Sequence, residues 1–276
     1  MSKFRQVLKK NLPPTLIKIV AVIKHSLKDG YSFLDEERVI KKYLDLLPLS
    51  NRFCVDIAAA DGINSSNTYA LYKNGWDGIA VELDTNNFYI LSKLYMKFSG
   101  VNLIKTKVTP ENVNFILKAC NCPNDFAFLN LDIDSYDHFV LEKILSEFRP
   151  CLICLEINES IPPPISFTVK YDIETVCEGH FFGQSISKCY ELCKRFNYDI
   201  VELCYNNLFI IPHEINKQNA LSPEDAYRNG YKEKIDRKEK FPANKDMEII
   251  LYQSKDDGIK FLNAKFEKYK GKYIIE

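Results

Sequence analysis

From residue 52 to residue 213, short apolar runs alternate with segments of helical spacing. The runs 53–57, 78–83, 101–105, 126–131 and 152–157 each read as a strand. Between them, Asn64, Ser65 and Ser66 are helix-start residues, Phe88, Leu91, Leu94, Tyr95 and Phe98 recur on one helical face, Pro110 stands at a favoured first position, and Leu141, Ile144, Leu145 and Phe148 mark a further core-facing stripe. Strands this continuously apolar are covered on both faces, so the alternation predicts a doubly wound, mostly parallel α/β sheet. After a rigid loop at 161–164, Ile186, Tyr190, Cys193 and Phe196 mark another helix. Runs 200–203 and 208–211, joined by a hairpin-sized turn, add an antiparallel edge strand.

Composition narrows the function. Apolar residues make up 46% and charged residues 27% of 276 positions, which excludes wholesale disorder. Thirty-seven basic residues balance thirty-seven acidic ones, so the chain lacks the basic field of a general nucleic-acid binder. Nine scattered cysteines do not form a secreted disulfide framework; they read as buried reduced thiols in a reducing cytoplasm, with Cys189 and Cys193 one helical turn apart but without further ligands at zinc spacing. Lys3, Arg5, Lys9 and Lys10 precede an apolar run, 16–23, that is too short and too charged to span a bilayer. It reads as a helix packed on the domain or on a second subunit, with peripheral contact to the inner face of a membrane as the alternative. These features divide the chain into an N-terminal helical extension (1–49), a catalytic domain (50–213) and a charged C-terminal extension (214–276), whose stretch 224–245 reads as a solvated appendage or oligomer arm.

Carboxylates end four of the strands. Asp56 closes the first, Glu82 the second, Asp132 and Asp134 the fourth, and Glu156 the fifth. Open α/β sheets bind ligands outside the carboxyl ends of their strands, and acids crowded there repel one another unless a cation or ligand offsets them. The first turn, Asp56-Ile57-Ala58-Ala59-Ala60-Asp61-Gly62, has the position of a dinucleotide fingerprint but alanines where close approach of a pyrophosphate needs glycines. A cationic nucleoside cofactor without a diphosphate suits it better: Asp56 and Asp61 would welcome the charge and Glu82 would accept the hydroxyls of a ribose. These features point to S-adenosylmethionine.

The stretches VDIAAADG, SNTYALYKNGWDGIAVELD, VTPENV, FLNLDIDSYD and CLICLEINESIPP, with FFGQSISKCYELCKRFNYDIVE and NNLFII after them, resemble class I S-adenosylmethionine-dependent methyltransferases of the FkbM-like kind. The resemblance covers roughly residues 50 to 213 and implies a Rossmann-like seven-stranded sheet. It implies that Asp56, Ala58 and Gly62 line the methionine moiety, that Glu82 binds the ribose, and that Lys107 and Val108 lie near the adenine. Leu131-Asp132-Ile133-Asp134-Ser135-Tyr136 is similar to an element of metal-dependent sugar O-methyltransferases. That similarity implies Asp132 as a ligand of Mg²⁺ or Mn²⁺ at the cofactor cleft, Asp134 as a general base, and Glu156 and Asn158 as further ligands.

Chemically, the protein then has to align donor and acceptor and to raise the reactivity of a hydroxyl, which a bound divalent cation does by lowering its pKa. Asp134, His138 or His180 would take the proton; His25 and His213 read as incidental. Trp76 reads as core packing and Asp137 as a helix-start residue. The resemblance implies as acceptor a sugar hydroxyl in a nucleotide-activated sugar or surface glycan. The rivals are metal-free N-methylation of an amino sugar and a non-catalytic scaffold that holds a partner subunit.

Overall fold

The computed structural model describes residues 30–174 and 176–276. The run 16–23 and His25 lie outside the described residues. Helix α1 (Glu36–Leu46) leads into β1 (Phe53–Ile57), α2 (Tyr69–Lys73), β2 (Asp77–Glu82), α3 (Thr85–Tyr95), β3 (Val101–Lys105), α4 (Val113–Ala119), β4 (Phe128–Leu131), α5 (Asp137–Leu145) and β5 (Leu152–Glu156). The sheet order is β3-β2-β1-β4-β5-β8-β7, with β7 (Tyr198–Cys204) and β8 (Asn207–Pro212) contributed by the hairpin after α6 (Ile186–Phe196). Strands β1 to β5 are mutually parallel, and β8 runs antiparallel between β5 and β7. This is the doubly wound Rossmann-like sheet that the alternation predicts.

Its centre is dry. Val55, Phe128, Leu129, Ile153, Cys154 and Phe209 are fully buried, as expected of strands covered on both faces. Trp76 packs half-buried against this core. All nine cysteines are free, and seven are buried. Helix α2 starts later than the Asn64–Ser66 signal suggests because residues 61–66 are used by a turn: the Asp61 carboxylate accepts the Ile63 and Asn64 amides, and Ser65 has a φ of 56°.

The stretch 224–245 is not a solvated appendage. Tyr227, Tyr231, Arg237 and Asn244 are buried, because the two tyrosines recur at helical spacing and Arg237 is ion-paired with Glu248. Helices α7 (Pro223–Tyr227), α8 (Arg237–Lys240) and α9 (Lys255–Lys265) follow, and β9 (Tyr273–Ile275) pairs antiparallel with β6 (Phe167–Val169), which lies in the long connection between β5 and α6. Together these segments bury a second core of Ile161, Phe167, Phe181, Met247, Leu262 and Phe266. Among the described residues, no helix is long and apolar enough to cross a membrane.

Phe181 joins the halves of this second core, its ring stacked on Tyr269 at 3.8 Å between centroids. Truncating a fully buried phenylalanine removes its transfer energy and leaves a cavity, so Phe181→Ala should cost about 3–5 kcal/mol in denaturant unfolding. A loss below about 1 kcal/mol, the range of a surface change, would mean that the C-terminal segment contributes little to the fold.

Candidate functional site

Parallel register sets the site. Leu131 is level with Ile57 on one side and Leu155 on the other, so Asp132 and Glu156 leave adjacent strands at the same height, where neighbouring strands are about 4.8 Å apart. With Asp134 they form a trio whose nearest carboxylate oxygens all lie within 4.8 Å of one another. Among the described residues no cation is hydrogen-bonded to the trio; Glu156 receives the Asn206 side-chain amide, at 2.8 Å, and shares a side-chain hydrogen bond with Asp132. Burial first, then the charges of Asp134 and Asp137, pushes Asp132 up to about 7. Burial and the Asp132 and Asp134 charges hold Glu156 well above the usual carboxylate range.

Beside the trio lies a cleft of about 390 Å³ between the ends of β1, β2, β3 and β4, lined by Ala58, Ala60, Glu82, Leu83, Lys107, Val108 and residues 132–136, a volume in the range of small-molecule sites. Ala58 and Ala60 have φ values of 69° and 48°, the left-handed backbone that the glycines of a dinucleotide turn would adopt freely. Glu82 closes the floor: one oxygen accepts the Ala60 amide at 2.8 Å and the other the Asp84 amide at 2.6 Å, which leaves each oxygen a further lone pair. The Lys107 ammonium is tied to the Ile173 carbonyl, and the Val108 carbonyl accepts the Tyr136 hydroxyl.

Several residues expected here are placed elsewhere. Asp56 is buried under the cleft, with one oxygen accepting the Thr68 hydroxyl at 2.5 Å and the other the Asn130 amide at 2.9 Å. Burial raises it to about 6. Asp61 spends its carboxylate on its own turn. Gly62 also stands behind the cleft, where a Cβ would meet Leu91 Cδ1 at 2.4 Å at a φ of 81°. Asn158 is fully buried: its amide nitrogen donates to the carbonyls of His180 and Phe182, and its oxygen accepts the Ser160 hydroxyl. Its polar atoms are thus engaged by Ser160 and by the 180–182 backbone. The His180 ring faces Asp246 of the C-terminal segment at 2.9 Å, and His138 is buried against Gln184 at 3.0 Å, so neither ring lines the cleft. In return the structure brings in Asn206, from the β7–β8 turn, and Asp137. No spacing in the sequence marks Asn206; Asp137 carries only a helix-start signal.

No family model matches the sequence, and no curated protein matches it. Solved structures with a similar course include the N-terminal domain of EvdMO1 in the presence of SAH and D-fucose (10% identity, 67% of this chain and 84% of that one, TM-score 0.43). A S-adenosylmethionine-dependent methyltransferase from Clostridium acetobutylicum (10%, 71% and 99%, 0.43) and a SAM dependent methyltransferase from Aquifex aeolicus (12%, 64% and 89%, 0.39) are similar too. Likenesses this distant transfer no chemistry, which has to come from the residues of the cleft.

Two outcomes follow from this geometry. Ala58→Gly and Ala60→Gly should be neutral or stabilising by up to about 1 kcal/mol, since glycine relieves the left-handed penalty and offsets its own entropy; denaturant midpoints check this, and a loss beyond about 1 kcal/mol contradicts it. The second outcome concerns pH. Asp56, Asp132, Asp137, Glu156, Glu36 and Glu159 are all raised, chiefly by burial. An acid raised on folding contributes stability that is fully present below its unfolded pKa and is lost as pH rises through the folded one. His138, lowered by burial, opposes this below about 6.5. The acids outnumber it, so the melting temperature in EDTA should rise as pH falls from about 8 to about 5.5. A flat or falling profile would count against buried, unneutralised acids.

Proposed function

We propose that the chain is an S-adenosylmethionine-dependent methyltransferase acting on a sugar hydroxyl of a nucleotide-activated sugar or surface glycan, with Mg²⁺ or Mn²⁺ at the acidic edge. The observation that carries this reading is the contact between two sites: a nucleoside-sized cleft lined by Glu82, and a carboxylate trio of which Asp132 and Asp134 line the same cleft. The donor set fits a hard cation, being all carboxylate oxygen. The cleft fits a nucleoside without a diphosphate, because the Cβ atoms of Ala58 and Ala60 stand where a pyrophosphate needs bare backbone.

When bound, S-adenosylmethionine supplies a methyl group already activated on its sulfonium. When bound, a divalent cation supplies Lewis acidity toward the acceptor hydroxyl. The chain's own part is to bind and to orient. Glu82 takes the ribose hydroxyls on its spare lone pairs, and Leu83, Val108 and Ile133 give apolar walls to the base. Asp132 and Glu156 hold the cation. Asp134, exposed at the tip of its turn with a φ of 58°, holds the cation with them or receives the hydroxyl proton.

Calorimetric titration with S-adenosylhomocysteine tests the cofactor. Glu82→Gln should weaken binding about 10- to 100-fold, the worth of charge-assisted hydrogen bonds. Asp132→Asn should remove Mn²⁺ binding and leave cofactor affinity near that of the wild type. Mn²⁺ binding should itself weaken as pH falls below about 7, because the cation has to displace protons from Asp132 and Glu156. Cofactor binding with no Mn²⁺ effect at any pH would move the reading to metal-free N-methylation of an amino sugar; no cofactor binding would favour a scaffold.

A further inference from the structure

All of residues 132–136 line the cleft, yet they form an irregular turn with the left-handed Asp134 at its centre. What fixes its shape is Asp137, the first residue of α5. One Asp137 oxygen accepts the Ile133 amide at 2.8 Å and the other the Ser135 amide at 3.0 Å. Neither amide has another acceptor among the described residues. The Ser135 hydroxyl closes the same turn onto the Ile133 carbonyl. Asp137 is 1% exposed and faces Asp134, and among the described residues it has no ion pair.

A buried, unpaired carboxylate is costly, and an ordinary helix-start aspartate caps its own helix while standing in water. Asp137 instead reaches backward into the preceding turn. We infer that Asp137 is a positioning residue of the cofactor cleft: its two oxygens hold the Ile133 and Ser135 amides so that the 132–136 wall keeps the shape that grips the nucleoside. This rests on the cofactor reading above.

The test compares wild type, Asp137→Asn and Glu36→Gln at a temperature where all three are folded. Asparagine keeps the size but accepts at only one atom and turns a donor toward the second amide. Glu36 is also a buried carboxyl that accepts a backbone amide, that of Leu34, but it lies in α1 and not on the cleft. Asp137→Asn should raise the S-adenosylhomocysteine dissociation constant about 10-fold or more and speed hydrogen exchange at the Ile133 and Ser135 amides. Glu36→Gln should leave both within about twofold, the scatter of distant independent sites. Faster exchange in Asp137→Asn with unchanged affinity would overturn the positioning role, as would an equal loss of affinity in Glu36→Gln. If the wild type itself binds no S-adenosylhomocysteine while the two amides are protected and released as described, the cofactor reading has failed and the staple stands as a feature of the fold alone.

Discussion

Carboxyl groups held close together at the end of a parallel sheet are the constraint around which this molecule is arranged. Register alone brings Asp132 level with Glu156, and low-dielectric surroundings make their repulsion larger than it would be in water. Among the described residues no lysine or arginine is hydrogen-bonded to these acids to relieve it. It braces the acids from several sides instead. Asp137 fixes the turn of Asp132 and Asp134 from α5, and the Asn206 amide holds Glu156 from the hairpin. The hairpin is in turn tied to the C-terminal segment, through the Tyr205 hydroxyl on Asp236 and the Tyr205 amide on the Gly230 carbonyl.

The first turn of the sheet solves a related problem with unusual residues. Its backbone follows the left-handed path of a dinucleotide turn, but on alanines, so the path survives while the space for a pyrophosphate does not. Asp56, which the strand pattern brings to the edge, is drawn beneath this turn by Thr68 and Asn130. Glu82, which accepts the Ala60 amide, is left as the acid that holds the turn.

The long connection after β5 and the C-terminal segment form one structure. Their pairing through β6 and β9 closes a common core. That unit also reaches the site. Asn158 holds the 180–182 backbone, the Glu159 carboxylate accepts the Asn244 amide, and the Tyr171 ring packs edge-on against Tyr136 at the cleft rim. The segment that reads as a solvated arm is thus part of the wall around the loops that follow β5.

Much of this was written locally. Alternating strand and helix periods determined the doubly wound sheet, and the acids at the ends of β2, β4 and β5 marked the edge where Glu82, Asp132, Asp134 and Glu156 meet, because a period and a strand end are properties of neighbouring residues. Tertiary structure decided what each polar atom faces. Asn158 reads in sequence as a ligand beside Glu156, but the Ser160 hydroxyl is bonded to its oxygen and the carbonyls of residues 180 and 182 take its amide nitrogen. Asp56 reads as lining the cleft, but Thr68 and Asn130 take both its oxygens. His180 turns to Asp246, which lies 66 positions away, and Asn206 reaches Glu156 across 50. A hydrogen bond is satisfied by whichever partner the fold brings within about 3 Å, and over such separations that partner has no signature in the local pattern of the chain.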